Sequence, residues 1–394
     1  MGHKRTLAPD GPDGGYSLPL SYIPIEKQLL FNEIKTKWWG ANHQIFIRMF
    51  NMKLFSCIVL MAMLPFASLA QQAVVTFKKF DKQNKVDVLI AGRLFTSFLY
   101  ADTMEKPLLY PLVSAGGAVV TRGFPLYPKP GEPTDHPHQI GLWFNFENLN
   151  GLDFWNNSSA IAINQKAKYG WIRTDKITKI KGGTKGLLAY HANWTNQANE
   201  IILEENTSFE FSGSKAQRVI TRITKLTAVK KAIFTDAKDG LLGLRLAHEL
   251  QMPIIEQEKI KDSERIISPV KRRLDSIPTG NFLTSEGKQG DAAFSTRGVW
   301  CKVYGKIGAD SVSIAIIDHP LNPNYPTFWF TRGYGLFAAN PLGEKVFTNG
   351  TSSKNLTLEK GESVTFKYRV VIDNGLRTPS PTQLNTIARS FTQK

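Results

Sequence analysis

Cysteine is nearly missing: the 394-residue chain has two, Cys57 and Cys301. Only Cys301 lies beyond the leader argued for below, so no intramolecular disulfide is available even in an oxidising compartment. Long apolar runs are also missing. The greasiest stretch, 54–64, falls short of the roughly 20 residues that span a bilayer and is interrupted by Pro65. There is no dinucleotide glycine fingerprint and no Walker loop, which removes the usual nucleotide cofactor sites. HExxH and cysteine-rich metal spacings are absent too. Acidic residues are outnumbered, 33 against 49 Lys and Arg, for a formal charge of +16. The basic residues are scattered, with clusters only at Lys230-Lys231 and Lys271-Arg272-Arg273. Without zinc-finger spacing or an RNA-binding aromatic motif they read as solvated surface, and no nucleic-acid partner is expected.

What is present near the start is an export signal. Met52-Lys53 precedes the apolar run, and Ser68-Leu69-Ala70 closes it just before Gln71-Gln72. A basic start, a short apolar core and a small-residue exit are the parts of a secretory signal peptide. Residues 52–70 are therefore expected to be cleaved, which places the protein in the periplasm or outside the cell with no membrane span in the mature chain. Residues 1–51 put Trp38-Trp39 and mixed charges where a short basic segment belongs, so they read as an upstream or disordered extension, with Met49 or Met52 as the start. Removing 70 of the 394 residues leaves 324, enough for one large β domain, 71–394.

The remaining chain alternates apolar and polar residues with the period of strands. The runs fall at 74–80, 86–90, 94–100, 187–194, 201–211, 217–229, 299–304, 311–317 and 364–372. Helical periodicity is clear only at the end, where Ser380-Pro381 can cap a helix with Leu384, Ile387, Ala388 and Phe391 on its apolar face. βα alternation is missing, and no repeat has a propeller's period. The expected fold is all-β: a large antiparallel two-sheet sandwich of the galactose-mutarotase-like type, with few helices and one at the C-terminus. The charged stretch 253–278 is expected to be a surface loop or insertion.

The densest chemistry lies in Asp135-His136-Pro137-His138-Gln139-Ile140-Gly141-Leu142-Trp143, and a second Asp-His-Pro follows at Asp318-His319-Pro320. A proline biases its predecessor toward extended backbone, and residues two apart in an extended segment share a side. His136 and His138 are thus expected to face one cavity, with His319 opposite and Asp135 or Asp318 orienting an imidazole. The same three histidines are the candidate ligands for a divalent metal, which would need at least three protein ligands.

The block 318–341 reads as a long ordered loop forming a pocket wall. In it Arg332 and Asn340 donate hydrogen bonds and Trp329 or Tyr334 offers a flat apolar face, the mixture that sugars need. Lys238-Asp239-Gly240, followed by Arg245, is a further candidate, in which Arg245 holds a carboxylate or a substrate hydroxyl. Asp153-Phe154-Trp155-Asn156 can project a polar residue among core aromatics.

Taken in order, Arg122, the Asp-His-Pro-His segment through Phe144, Asp153-Phe154-Trp155, Lys238-Asp239-Gly240 and the Asp-His-Pro-Leu-Asn-Pro block ending at Asn340-Pro341 resemble the secreted bacterial family labelled "methane oxygenase PmoA". The resemblance spans roughly residues 85 to 375. The family's first motif has His-Arg where this chain has Gln139-Ile140, which removes one basic side chain. Its label implies an oxygenase, with His136, His138 and an Asp as a metal-binding facial triad. Integral-membrane oxygenation needs long apolar spans, and none follows Ala70. Family members are similar to proteins of glycan-degrading bacteria. The leading expectation is histidine acid/base chemistry on a carbohydrate or related polyol, as an epimerase, lyase or hydrolase-like enzyme. Lys238, Arg122, Arg245, Trp329, Arg332, Tyr334 and Asn340 would bind the substrate. A metal-dependent oxygenase and a non-catalytic glycan-binding protein are the alternatives.

Overall fold

The computed structural model describes residues 73–262, 265–273, 275–375 and 378–393. The expected leader and upstream extension lie outside the described residues. Twenty strands, numbered along the chain, account for nearly half of the described residues. One eight-stranded sheet runs β1 (Val75–Phe80), β2 (Lys85–Ile90), β3 (Arg93–Leu99), β4 (Leu108–Leu109), β5 (Leu142–Phe146), β11 (Gly240–Arg245), β18 (Leu336–Asn340) and β17 (Phe328–Arg332). The other runs β14 (Asn281–Thr284), β15 (Trp300–Ile307), β16 (Asp310–Asp318), β20 (Ser363–Asn374), β9 (Gln217–Ala228), β8 (Ile201–Gly213), β7 (Gly186–Thr195) and β6 (Trp171–Lys181). Neighbours pair antiparallel in both sheets. Two separate ribbons complete the set, β10 (Ala232–Phe234) with β19 (Leu356–Leu358) and β12 (Ile255–Asp262) with β13 (Arg265–Arg273).

The all-β sandwich expected from the alternation is what forms. Inward side chains of the two sheets meet in one core: Phe95 lies 6.2 Å from Phe211, Phe98 stacks 4.7 Å from Tyr190, and Phe144 sits 5.7 Å from Phe366. Each sheet has a second apolar layer outside. On the first sheet Trp143, Trp155, Phe328, Phe330 and Phe347 pack together beneath the connecting loops. Outside the second sheet, Trp300, Ile317 and Val371 are covered by the C-terminal helix, Pro381–Thr392, through Leu384, Ala388 and Phe391. Ser380 caps that helix and Gln383 completes the capping box, as the Ser-Pro start suggests. No described helix is long and apolar enough to cross a membrane.

Two expectations are corrected. The 253–278 stretch is a ribbon, β12 paired with β13 from Ile255↔Arg273 to Asp262↔Arg265, because its charge-rich sequence hid a strand pattern that pairs only with itself. The 318–341 block is a loop only in its first half. Pro320, Pro323 and Pro326 keep 319–327 out of the ladder, whereas the apolar runs that follow pair as β17 and β18 and dock on β11.

One polar cluster is sealed inside the sandwich. Glu205 on β8 accepts hydrogen bonds from Tyr190, Thr207 and Arg222 through one oxygen, at 2.6, 2.7 and 2.8 Å, and from Trp194 Nε1 through the other at 2.8 Å. Arg222 also lies 4.7 Å over the Phe144 ring. Removing one member of such a pair strands the other charge in a dry core, a loss of about 3–5 kcal/mol. Glu205→Ala is expected to lower unfolding free energy by that amount in urea, and a loss under about 1 kcal/mol would show that Arg222 finds water or another partner.

Candidate functional site

Strand alternation decides what faces outward from the first sheet. On β5 and β11, Leu142, Phe144, Leu242 and Leu244 enter the core, so Trp143, Asn145, Gly243 and Arg245 lie on the outer face. Gly243 is required there, since a Cβ would meet the Trp143 ring at 2.4 Å. The loop 133–139 folds over this face and is tied down by two arginines. Arg122, 1% exposed, donates to the carbonyls of Pro133, Asp135, His136 and Gln139 at 2.7–3.2 Å. Arg245, 0% exposed, donates to Gln139 Oε1 at 2.5 Å. Both reach Asp135 Oδ1, at 2.9 and 2.7 Å.

The other Asp135 oxygen is hydrogen-bonded to His136 Nδ1. Burial pushes the Asp135 carboxyl up, but Arg245, the His136 hydrogen bond and Arg122 outweigh it and hold the group below the ordinary carboxylate value. Asp135 therefore stays an anion that orients its neighbour. His136 is not extended as expected. Its φ is +47°, in the left-handed region, because the chain reverses in a turn from His136 to Gln139 with Pro137 in its second position. That unfavourable backbone is held by Arg122 on the His136 carbonyl and by the ring itself, stacked 4.9 Å from Tyr334 at an interplanar angle of 4°. Arg245 lies 4.8 Å from the centre of the same Tyr334 ring. The turn still brings His138 beside His136, with ring centroids 5.7 Å apart.

Four further side chains join this group: Asp239 and Asp153 from two motifs the sequence offers as candidates, and Glu147 and Lys106, which it does not mark as site residues. Lys106, 4% exposed, donates to the His138 carbonyl at 2.8 Å and lies 5.7 Å over Trp143; burial lowers its ammonium to about 8. Glu147 follows β5 and Asp239 precedes β11, and Glu147 Oε2 accepts from the Asp239 N–H at 3.0 Å. Asp153 accepts from the backbone and side chain of Asn156 at 2.8 and 2.9 Å. Burial, first among the causes, raises all three carboxyls. They form one electrostatic group, because Asp239 responds to Asp153, Lys238 and His136, and Asp153 responds to Lys106. Arg332 completes the face. It lies 3.8 Å over Phe294 and 5.2 Å over Phe330, with no hydrogen-bond partner among the described residues.

The sequence candidates thus divide. Asp135, His136, His138, Arg245, Lys238, Arg332 and Tyr334 gather on this face. Arg122 does too, but sealed behind the loop as its anchor, and so cannot contact substrate as expected. Asn340 is fully buried and committed to backbone, donating to Ala237 and Lys238 carbonyls at 2.9 and 2.7 Å; it shapes the Lys238-Asp239 turn. Trp329 points into the inter-sheet core at 0% exposure and offers no face to a ligand.

The second Asp-His-Pro does not meet the first. Asp318, which burial raises to about 7, accepts from Asn322 and the Thr327 N–H and so braces the 319–327 loop. His319 packs edge-on against Phe391 of the C-terminal helix, outside the second sheet. The whole core lies between His319 and His136, so the expected opposed pair is not formed. Nor do the candidate metal ligands converge. Among the described residues no three His, Cys, Asp or Glu side chains could hold a metal ion; both Asp135 oxygens already serve two arginines and His136, and His319 is on the far face.

His138 differs from His136 in its surroundings. It is 9% exposed, and burial, then Lys106, His136 and the two arginines, lower its imidazole from 6.5 to about 2. The unfolded chain takes up this proton near pH 6.5, while the folded protein refuses it until about 2. The ring's contribution to stability is therefore complete above pH 6.5 and is lost as pH falls toward 2. The stability difference between wild type and His138→Gln is expected to shrink by up to about 1.4 kcal/mol per pH unit between roughly pH 6 and 4. Denaturant titrations at several pH values would check this, and a pH-independent difference would refute it.

No curated protein matches the sequence. Solved structures with similarity include the GH36 alpha-galactosidase AgaB from Geobacillus stearothermophilus, at 11% identity and TM-score 0.37 over 76% of this chain and 41% of that one. Others are the Slr1438 protein from Synechocystis sp. PCC 6803, at 8% identity and TM-score 0.33 over 77% and 96%, and a heparan sulfate lyase HepC mutant from Pedobacter heparinus, at 12% and 0.31 over 78% and 36%. The chain spans about two fifths of the galactosidase's length. A family profile matches residues 85–389, from the start of β2 into the C-terminal helix, and the chain belongs to that family, DUF6807, a family of unknown function.

Proposed function

We propose that this chain is an enzyme acting on a carbohydrate or related polyol, with His136 as its proton-transferring group. The observation that carries the reading is the Asp135–His136 pair. One carboxylate oxygen fixes His136 Nδ1 while two buried arginines fix the other. An anion on Nδ1 keeps the proton there and leaves Nε2 as the nitrogen that exchanges protons, the same division of labour as in hydrolase triads. His138 does not share this role, because it stays neutral through the ordinary pH range.

The opposing group is one of the raised carboxyls, Asp239 being the one electrostatically coupled to His136. Burial raises the Asp239 carboxyl, the direction that suits a general acid. Arg332 supplies donors for charge developing on oxygen, and Arg245, buried and bonded to Asp135 and Gln139, positions the loop rather than the substrate. An imidazole base, a carboxylic acid and a guanidinium suit epimerisation, ring opening or β-elimination, in which a proton leaves carbon or oxygen and charge gathers on oxygen. Export through the 52–70 leader would place this chemistry in the periplasm or outside the cell. The oxygenase alternative calls on His136, His138 and an Asp as metal ligands, and the engagement of Asp135 leaves that set without an open carboxylate.

The test is a panel of neutral sugars, uronates and reduced and oxidised derivatives, followed by NMR for proton exchange, epimerisation or elimination. His136→Ala is expected to lower turnover about 10²–10⁴-fold with substrate affinity changed little. Turnover equal to wild type in His136→Ala would overturn the proposal, and sugar binding without turnover in wild type would make the chain a glycan-binding protein.

A further inference from the structure

The motif that fails to join the site, His319, borders a groove of its own. Outside the second sheet, between its strands and the C-terminal helix, lie two cavities of about 250 and 230 Å³. They share Glu210, Thr221 and Arg369, so they are adjoining chambers of one groove. Both fall below the roughly 300–1,000 Å³ of drug-sized pockets, which limits each chamber to a small ligand.

The lining has a definite chemistry. Arg369, 9% exposed, is held in place by its Nε, which donates to Thr221 Oγ1 at 3.1 Å, and by Phe391, whose ring centre is 4.4 Å from the guanidinium carbon. Neither Nη has a hydrogen-bond partner among the described residues, so the forked edge of a pre-oriented guanidinium remains open. That edge matches the two oxygens of a carboxylate or sulfate. Lys367 lies on the same face of β20, two residues away, and lines the same chamber. The opposing charge in the groove is Glu210, which lines both chambers, acts electrostatically on Arg369 and lies 3.3 Å from Lys185. Three cations thus face one carboxylate.

His319 forms part of the chamber wall. Its Nδ1 accepts from the Leu321 N–H at 3.1 Å, so the ring proton sits on Nε2. That nitrogen lies by the Phe391 backbone without completing a hydrogen bond. Ser208 and Thr221 contribute hydroxyls, and Ile223, 37% exposed, with Leu187 contributes an apolar floor. Donors, hydroxyls and an apolar floor beside an oxyanion seat suit a pyranose that carries an acid.

The geometry points to a second binding site, on the face opposite the Asp135–His136 centre, for a small acidic sugar whose carboxylate or sulfate docks on Arg369 and Lys367. It is independent of the catalytic reading. Isothermal titration of the full chain with galacturonate, inorganic sulfate and neutral galactose would test it. Galacturonate is expected to bind, to compete with sulfate, to weaken as salt rises, and to exceed galactose by about tenfold or more. Lys367→Gln and Arg369→Lys should each weaken galacturonate about fivefold or more. Equal binding of galactose, sulfate binding without galacturonate, no binding, or insensitivity to both substitutions would overturn the proposal. If Arg369→Lys fails to fold, Lys367→Gln decides, because its side chain is half-buried at the groove's edge.

Discussion

The candidate site depends on one carboxylate serving three partners. Asp135 receives Arg122 and Arg245 on one oxygen and His136 on the other. Neither arginine reaches bulk water, and burying a guanidinium without a counter-charge is among the larger penalties a fold can carry. The 133–139 loop is therefore required to lie where it does, because its carbonyls, Gln139 and Asp135 supply the acceptors for the terminal nitrogens of both arginines. Their need for that loop sets the left-handed backbone of His136 and its stack on Tyr334. The position of the imidazole is thus fixed by the electrostatics of residues that do not touch a substrate.

The sheet explains why these arginines are where they are. A strand offers alternate residues to opposite faces, so once Leu242 and Leu244 enter the core, Arg245 must emerge on the outer side. This much was legible in the sequence, since the apolar alternation over 86–90, 187–194, 201–211 and 364–372 gives the strands and the Ser380-Pro381 start gives the helix. The outer layer of Trp143, Trp155 and Phe330 was less legible. A sheet covered on both sides loses its alternation and reads as a continuous apolar run, and this is why 328–332 and 336–340 passed for loop.

The site itself was half legible. Asp135, His136 and His138 lie close in sequence and stay close in space, held together by a turn whose proline is visible in the chain. Asp318 and His319 share the same three-residue signature yet lie across the core, because a local motif carries no information about which sheet face its strand will supply. β16 ends with Asp318 turned to brace its own loop and His319 turned outward against Phe391. Lys106 escaped for a different reason. It sits in an irregular segment before Pro107, and nothing in its neighbours announces that Trp143 and the His138 carbonyl will enclose it.

The assembled charges divide the outer face of the first sheet into two ends. Around the 133–139 loop two buried guanidinium groups meet one carboxylate, and Arg332 and Lys106 add further positive charge. This cationic excess contributes to lowering His138 and overcomes burial at Asp135. At the ends of β5 and β11, Glu147, Asp153 and Asp239 crowd together, and burial makes each hold its proton more tightly. Negative charge is therefore favoured at the first end and disfavoured at the second. The electrostatics that fix the loop thus also polarise the face, and the proposed proton transfer at His136 would draw on that polarity.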